Sequence, residues 1–339
     1  MRLGERRDLV SLALIALVAA GFVLALVGWI MFFPTRPNTS GPYAVGRLEL
    51  MLSGPHGQRI PVTAWYPTIG PPGGQATHNA PPSTQTPTPL ILYSSGWAGT
   101  RLVSSIQTEN LASHGFVVVA CDDYANDIAA DSDHGEVFDL SSDTSTAATR
   151  ARGDRHVARQ ATILLEIIHA LGAGEAGPLS GRINLARIGV LGYSIGGAAG
   201  VEAATRDGRI VAVFNVDGWL VGPSADSAGH GSYFLLSSNE LLETGPALAS
   251  PNPVRRNEAL LGIQAYERNA RRTERAGSYW IRLNNTDHED LSDRLFALTR
   301  RKIFRLNAER RDINNAIGAY EVAFFRSALL DESSPLLAE

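Results

Sequence analysis

The chain has 339 residues, of which 44% are hydrophobic and 19% are charged, and its formal net charge is −4. A chain of this length buries enough apolar surface to fold without crosslinks, and its single cysteine, Cys121, excludes both an internal disulfide and a cysteine-built metal site. The small negative charge gives no reason to expect nucleic acid as a partner.

The N-terminal segment is long and apolar. Residues 10–33 contain no charged side chain, and a helix of this length crosses about 30 Å of hydrocarbon. Three arginines precede it: Arg2, Arg6 and Arg7. The positive-inside tendency then leaves residues 1–9 in the cytoplasm and exports the remainder, to the periplasmic or extracellular side in a bacterium. A cleaved signal peptide is the alternative, but its apolar core usually spans about 7–15 residues and ends in an A-x-A-like site, which is absent after Phe33. The pattern favours a retained signal anchor.

The remainder divides into a short linker and one large domain. Residues 34–45 are rich in Pro, Thr, Asn, Ser and Gly and are predicted as a linker, and residues 46–339 are predicted as a single catalytic domain. Residues 47–52 and 59–66 carry strand formers around a Gly-Pro turn, which predicts an opening antiparallel hairpin. Residues 67–89, rich in Pro, Gly and Thr, are predicted as an exposed loop.

Strands and helices alternate through the rest of the chain. Strands are predicted at 89–94, 116–121, 187–191, 210–216, 233–237 and 278–283, and helices at 102–113, 155–171, 255–275 and 307–330. A Ser/Asp-rich loop is expected over 122–150, and the helix at 255–275 is assigned to a cap together with the rest of 222–275. Alternation of this kind predicts a mostly parallel sheet with helices on both faces.

One motif in this series points to chemistry. Residues 192–196 read Gly-Tyr-Ser-Ile-Gly, directly after a predicted buried strand and directly before a Gly/Ala-rich helix start. Gly-x-Ser-x-Gly in strand–turn–helix context is the nucleophile elbow of α/β-hydrolases. The flanking glycines avoid collisions in a very tight turn, and Ser194 is thereby predicted as an exposed nucleophile above a helix N-terminus.

A serine nucleophile needs a base and an acid that orients the base. In this fold they follow in the order Ser, Asp or Glu, His, on loops after later strands. Asp217 ends the next predicted strand, and His288 follows the last one, so we predict that these two residues complete the triad. The other candidates are misplaced: Asp207 and His230 precede strands, and Asp122 and Asp123 precede the nucleophile.

The anionic intermediate also needs preorganised N–H donors. The backbone amide of Ile195, directly after the nucleophile, is the first predicted donor. The second is expected from the Ser-Gly-Trp-Ala-Gly loop at 95–99, where the amide of Trp97 is the candidate.

These segments together resemble a known family. They are the loop at 95–99, Leu-Ala-Ser-His-Gly-Phe at 111–116, the elbow, Asp-Gly-Trp at 217–219, and His288. The chain is similar to the secreted-type platelet-activating factor acetylhydrolases and their relatives, which include chlorophyllases and cutinase-like polyester hydrolases. The resemblance runs from about Ala64 to the region of His288. It implies an α/β-hydrolase fold and a calcium-independent serine esterase whose triad is Ser194, Asp217 and His288. Ser95 stands where the family usually has histidine.

The sequence therefore predicts a membrane-anchored carboxylic ester hydrolase with no cofactor and no metal. Its partners would be an ester substrate, short-acyl, lipid or otherwise amphipathic, and the membrane that holds the N-terminal helix. Five aspartates between 122 and 133 match no EF-hand and are interpreted as a solvated loop. Two alternatives stay open: an envelope acyltransferase using the same triad, and a non-catalytic anchored binding module on a hydrolase scaffold.

Overall fold

A computed structural model describes residues 3–55, 57–83, 87–123, 145–227, 229–239, 245–298, 302 and 305–338. Most of the expected acidic loop at 122–150, including Asp127, Asp131 and Asp133, lies outside the described residues.

The chain begins with a long helix, α1 (Leu3–Phe32). Its span Leu14–Phe32 is apolar and long enough to cross a membrane, and it is not buried against the rest of the chain. Such a helix fits both a signal anchor and a signal peptide. The predicted linker that follows is shorter than expected, because the first strand begins at Ala44.

In the described part of the chain, nine strands form one sheet in the order β3-β1-β2-β5-β4-β6-β7-β8-β9. The strands are β1 (Ala44–Ser53), β2 (Arg59–Thr68), β3 (Thr77–His78), β4 (Thr88–Ser94), β5 (Val117–Cys121), β6 (Ile183–Tyr193), β7 (Ile210–Val216), β8 (Ser232–Ser237) and β9 (Ser278–Arg282). Strands β4 to β9 run parallel, and β2 is antiparallel to β1 and β5. The carboxyl ends of the parallel strands therefore meet at one edge of the sheet, which we call the carboxyl edge.

The helices cover both faces of this sheet. They are α2 (Ser105–Ser113), α3 (Thr146–Gly172), α4 (Ile195–Arg206), the single turn α5 (Gly245–Leu248), α6 (Pro253–Thr273) and α7 (Asn307–Leu330). Apolar side chains of α3 and α4 build the core on one face, and those of α2 and α7 build the core on the other. The prediction of a mostly parallel α/β sheet covered on both faces is confirmed.

The structure also corrects several boundaries. Helix α3 begins at Thr146, within the segment predicted as a loop, because Ser145 caps it by accepting from the Ala148 amide. The exposed loop predicted at 67–89 contains the short strand β3, which pairs with β1.

Candidate active site

The turn between β6 and α4 holds Ser194 in an unusual conformation. Its backbone has φ 55° and ψ −128°, a region that non-glycine residues rarely adopt. A Cβ at Gly192 would lie 2.4 Å from backbone atoms of Gly196, and one at Gly196 would lie 2.1 Å from the Ser94 carbonyl oxygen. Both glycines are therefore required by the close approach of the strand, the turn and the helix. Ser194 remains partly exposed at the apex.

Asp217 follows β7 directly, on the neighbouring strand. Its backbone also has a positive φ of 55°, and its amide donates to the Leu236 carbonyl oxygen. Asn215 stabilises this turn, because its side chain accepts from the Gly218 amide and donates to the Gly218 carbonyl oxygen. The Asp217 carboxylate accepts from the Ser238 amide at 2.7 Å and from the Ser238 hydroxyl at 2.8 Å.

His288 reaches the same carboxylate from the segment after β9. Its Nδ1 lies 2.8 Å from Asp217 Oδ2, and the carboxylate is almost fully buried, with 3% of its side chain exposed, while the imidazole is 35% exposed. The imidazole also stacks on the ring of Tyr193, with ring centroids 4.9 Å apart, and the Tyr193 hydroxyl donates to the His288 carbonyl oxygen. Because Tyr193 directly precedes Ser194, this stacking brings the imidazole beside the elbow.

A buried cation underlies the His288 segment. Lys302, the only lysine in the chain, is 2% exposed. Its Nζ lies 2.9 Å from Asp290 Oδ1 and 3.4 Å from Asp287 Oδ1. Asp287 and Asp290 also cap each other's backbone amides. The short 3₁₀ turn that carries His288 is thereby fixed on both sides.

The loop after β4 packs directly against the nucleophile. A Cβ at Gly96 would lie 3.1 Å from the Ser194 Cβ, so glycine permits this approach. The fully buried Ser95 hydroxyl donates to the Gly99 carbonyl oxygen and closes the loop. Trp97 therefore lies in the loop that faces Ser194. As the first residue of α4, Ile195 has no intrahelical acceptor for its amide, which suits it to bind an anion.

A second, fully buried pair supports this loop. Asp123 Oδ1 lies 2.9 Å from His156 Nε2, and neither side chain is exposed. The other oxygen of Asp123 accepts from the Ala98 amide at 2.7 Å, and the Asp123 amide donates to the Gly99 carbonyl oxygen. The His156 imidazole stacks on the Trp97 indole.

Sequence reasoning missed this pair and misread the aspartates in it. Asp122 and Asp123 were interpreted as part of a solvated acidic loop, but Asp122 is paired with Arg101 and Asp123 is buried. The available signal was position, because both aspartates directly follow β5 at the carboxyl edge. Within the described residues, no group of three or more His, Cys, Asp or Glu side chains could hold a metal ion.

The structure brings together the five residues that the sequence singled out. Ser194 and Ile195 lie at the elbow, Trp97 lies in the loop against it, and His288 is hydrogen-bonded to Asp217. When Nδ1 carries the proton and donates to Asp217, Nε2 is left with the lone pair that a general base needs. Histidine and aspartate in this arrangement can take and return a proton at the mouth of the elbow.

Comparison with known proteins gives the same picture. Residues 68–133 match the family model described as platelet-activating factor acetylhydrolase, isoform II. The chain is 29% identical over 139 residues to a protein from Arthroderma benhamiae named a probable 1-alkyl-2-acetylglycerophosphocholine esterase, a match that covers 41% of this chain. The chain spans one third of the length of that relative, since the match covers 33% of it.

The whole chain also resembles a solved structure. A ferulic acid esterase from Streptomyces cinnamoneus superposes with a TM-score of 0.64 and 22% sequence identity, over 91% of this chain and 96% of that one. At this identity the likeness concerns the fold. The chain therefore has the α/β-hydrolase fold, and the resemblance to esterases of the platelet-activating factor acetylhydrolase type, predicted from the sequence, is confirmed.

Proposed function

We propose that this chain is a membrane-anchored serine hydrolase that cleaves carboxylic esters through an acyl-enzyme on Ser194. The observation that carries the proposal is the hydrogen bond between His288 Nδ1 and the buried Asp217 carboxylate, with the same imidazole stacked beside the strained elbow. Resemblance to proteins named as esterases supports the same reaction class.

The first half of the reaction forms the acyl-enzyme. The Ser194 oxygen attacks the carbonyl carbon of the ester, and its proton passes to His288 Nε2. Asp217 stabilises the resulting imidazolium. The backbone amides of Ile195 and Trp97 donate to the oxyanion, and each such donor is worth about 2.7–4 kcal/mol in a comparable site. Collapse breaks the bond to the leaving oxygen, and the alcohol departs with the proton from His288.

The second half returns the enzyme to its starting state. Water loses a proton to His288 and attacks the acyl carbon, so that a second oxyanion forms in the same hole. Its collapse releases the carboxylic acid, and the proton on His288 returns to the Ser194 oxygen. The net reaction adds one water to the ester and yields an alcohol and an acid.

Membrane attachment through α1 is part of the proposal. The uncharged span ends in aromatic residues, and Trp29 stacks on Phe33 with ring centroids 3.8 Å apart. Aromatic rings at the end of such a helix suit the membrane interface. An enzyme held at this level would encounter lipid or other amphipathic esters as well as short soluble ones.

The test is turnover of p-nitrophenyl acetate by the purified full chain. We expect Ser194→Ala to abolish turnover, and the matched control Ser227→Ala, at an exposed serine, to retain it. Persistence of parental turnover in Ser194→Ala would overturn the proposal. Membrane attachment is tested by fractionation: the full chain should require detergent for release, and release by buffer alone would contradict the anchor.

A further inference from the structure

The segment between α1 and β1 is packed on the domain along its length. Residues 34–43 contain no helix, and they follow α2 side by side. Arg36 lies 2.9 Å from Glu109 and donates to the Ser105 hydroxyl, near the start of α2. Further along, the Tyr43 amide donates to the Ser113 carbonyl oxygen at the end of α2. We call residues 34–43 the strut.

The direction of the strut is set by the helix beside it. Helix α2 follows the carboxyl end of β4 and so begins at the carboxyl edge, the edge that carries the candidate active site. Since Arg36 contacts the beginning of α2 and Tyr43 its end, the strut starts at the carboxyl edge and runs to the opposite, amino edge. There it enters β1, which is parallel in direction to β5.

The upper end of the strut also contacts the segment that follows His288. Arg36 lies 3.9 Å from Asp293, five residues beyond the imidazole. Asn307 Nδ2 donates to the Thr35 hydroxyl at 3.3 Å. Asn307 begins α7, two residues after Arg305, whose guanidinium donates to the Asn285 carbonyl oxygen beside His288. The start of the strut and the candidate base therefore share one end of the molecule.

These contacts leave little free chain between the helix and the domain. Thr35 is two residues beyond Phe33, a separation of at most about 7 Å for an extended chain. If residues 34–43 were free, the ten residues could reach about 35 Å and the domain could tumble. The packed strut removes that freedom and fixes which edge of the domain lies nearest to the end of α1.

The same edge exposes apolar side chains. Leu102 follows β4, Leu248 follows β8 and Leu298 follows β9, and all three are exposed, Leu298 to 54%. Isolated exposed leucines are ordinary on a soluble surface. Three of them on loops at the edge where a membrane helix emerges are suited to contact lipid.

We infer that the strut holds the carboxyl edge of the sheet, and with it Ser194, against the lipid surface from which α1 emerges. The inference rests on the proposed function for its consequence: the substrates reached most readily are amphipathic esters presented at that surface. The leucines at 102, 248 and 298 contact the interface, and the amino edge faces away from it.

The orientation can be measured without catalysis. The full chain is reconstituted in phosphatidylcholine vesicles that contain a nitroxide-headgroup lipid, with an NBD fluorophore on Leu298→Cys or, as matched control, on Ile69→Cys. Ile69 is 80% exposed and follows Thr68, which pairs with Ala44 at the amino edge. Cys121 is buried, and burial raises the pKa of its thiol to about 12, so it stays unlabelled.

We expect strong quenching at position 298 and little at 69. Equal quenching, stronger quenching at 69, or none at either position would overturn the inference. The double variant Arg36→Ala/Asn307→Ala, which releases the start of the strut, should reduce the difference between the two positions; an unchanged difference would show that the strut does not set the orientation.

Activity then separates the inference from the proposed function. We expect the strut double variant to keep its turnover of soluble p-nitrophenyl acetate and to lose about tenfold on p-nitrophenyl palmitate held in vesicles, because the effective concentration at the site falls. Equal turnover of both esters by parent and variant would contradict the inference. Absence of turnover of either ester by the parent, with quenching confined to position 298, would overturn the proposed function and leave the orientation standing.

Discussion

The indole of Trp97 stacks on the imidazole of His156, with ring centroids 3.6 Å apart and planes inclined by 18°. The same imidazole is hydrogen-bonded to Asp123, which also accepts from the Ala98 amide. One buried pair therefore holds the loop of the proposed oxyanion donor through both a ring and a backbone contact. A donor that is fixed in advance needs no reorganisation during the reaction.

Removal of this support should reduce the rate of the chemical step. We expect Asp123→Ala to lower kcat by about 10²-fold with little change in KM, because a displaced donor weakens binding of the transition state only. Asp123→Asn, which can still accept from the Ala98 amide, should recover most of the loss. Steady-state kinetics with p-nitrophenyl acetate measure both values, with Asp207→Ala at a surface turn as control. An unchanged kcat in folded Asp123→Ala would refute this role.

The hydrogen bond between Asp217 and His288 leads to a larger effect. We expect Asp217→Asn to lower kcat by about 10⁴-fold, because an amide favours the wrong imidazole tautomer, as in other serine triads. Ser238→Ala removes the hydroxyl donor to the carboxylate but leaves the Ser238 amide and His288 in place, so its loss should be much smaller. Turnover of Asp217→Asn within tenfold of the parent would show that another residue serves as the acid.

Lys302 should matter for both stability and activity. Lys302→Met leaves the buried Asp290 with Arg305 as its remaining cationic partner. Removal of one member of a buried ion pair typically costs about 3–5 kcal/mol, so we expect a lower urea midpoint and a reduced kcat through displacement of His288. The control is Arg209→Met, which breaks an exposed pair with Asp207 and should change stability by less than about 1 kcal/mol. Equal midpoints for the two variants would contradict this.

Glu321 gives a prediction in the opposite direction. The carboxyl group is fully buried in α7 with no hydrogen-bond partner for either oxygen, and burial raises its pKa well above the ordinary value of 4.5. In the unfolded chain the group ionises near 4.5 and in the folded chain it stays protonated, so the folded state loses stability as the pH rises above 4.5.

Replacement of Glu321 by an apolar residue should therefore stabilise the protein. We expect Glu321→Met to raise the free energy of unfolding by about 1–3 kcal/mol. The gain should be greater at pH 8 than at pH 5, because only the parent chain carries the ionisation penalty. Glu321→Gln, which removes the ionisation and keeps the unsatisfied polar atoms, should lose the pH dependence and gain less. Thermal melts at the two pH values decide; a gain that shrinks with rising pH would contradict the argument.

Much of the fold was predictable because local patterns dictate it. The helix at 307–330 and the strand at 210–216 were predicted with the bounds that the structure has. The elbow was predictable for a different reason: a strained turn between a strand and a helix tolerates few residue types, so its glycines leave a visible motif.

Other features depend on contacts between distant residues. Asp123 and His156 are 33 positions apart, and nothing in the local sequence of either distinguishes a buried pair from two solvated side chains. The strut was predicted as an ordinary linker from its Pro and Ser content, and its packing depends on Arg36 meeting Glu109 and Asp293 in the folded chain. Composition predicts a flexible segment, but tertiary partners decide whether it is held.

The most direct test of the central claim is covalent labelling of the native full chain by a fluorophosphonate, with the modified peptide identified by mass spectrometry. The account predicts one adduct, on the Ser194 oxygen, and its loss in both Ser194→Ala and His288→Ala, while the Ser227→Ala control is labelled like the parent. An adduct on another serine, or labelling at Ser194 that persists at the parental rate in His288→Ala, would contradict it.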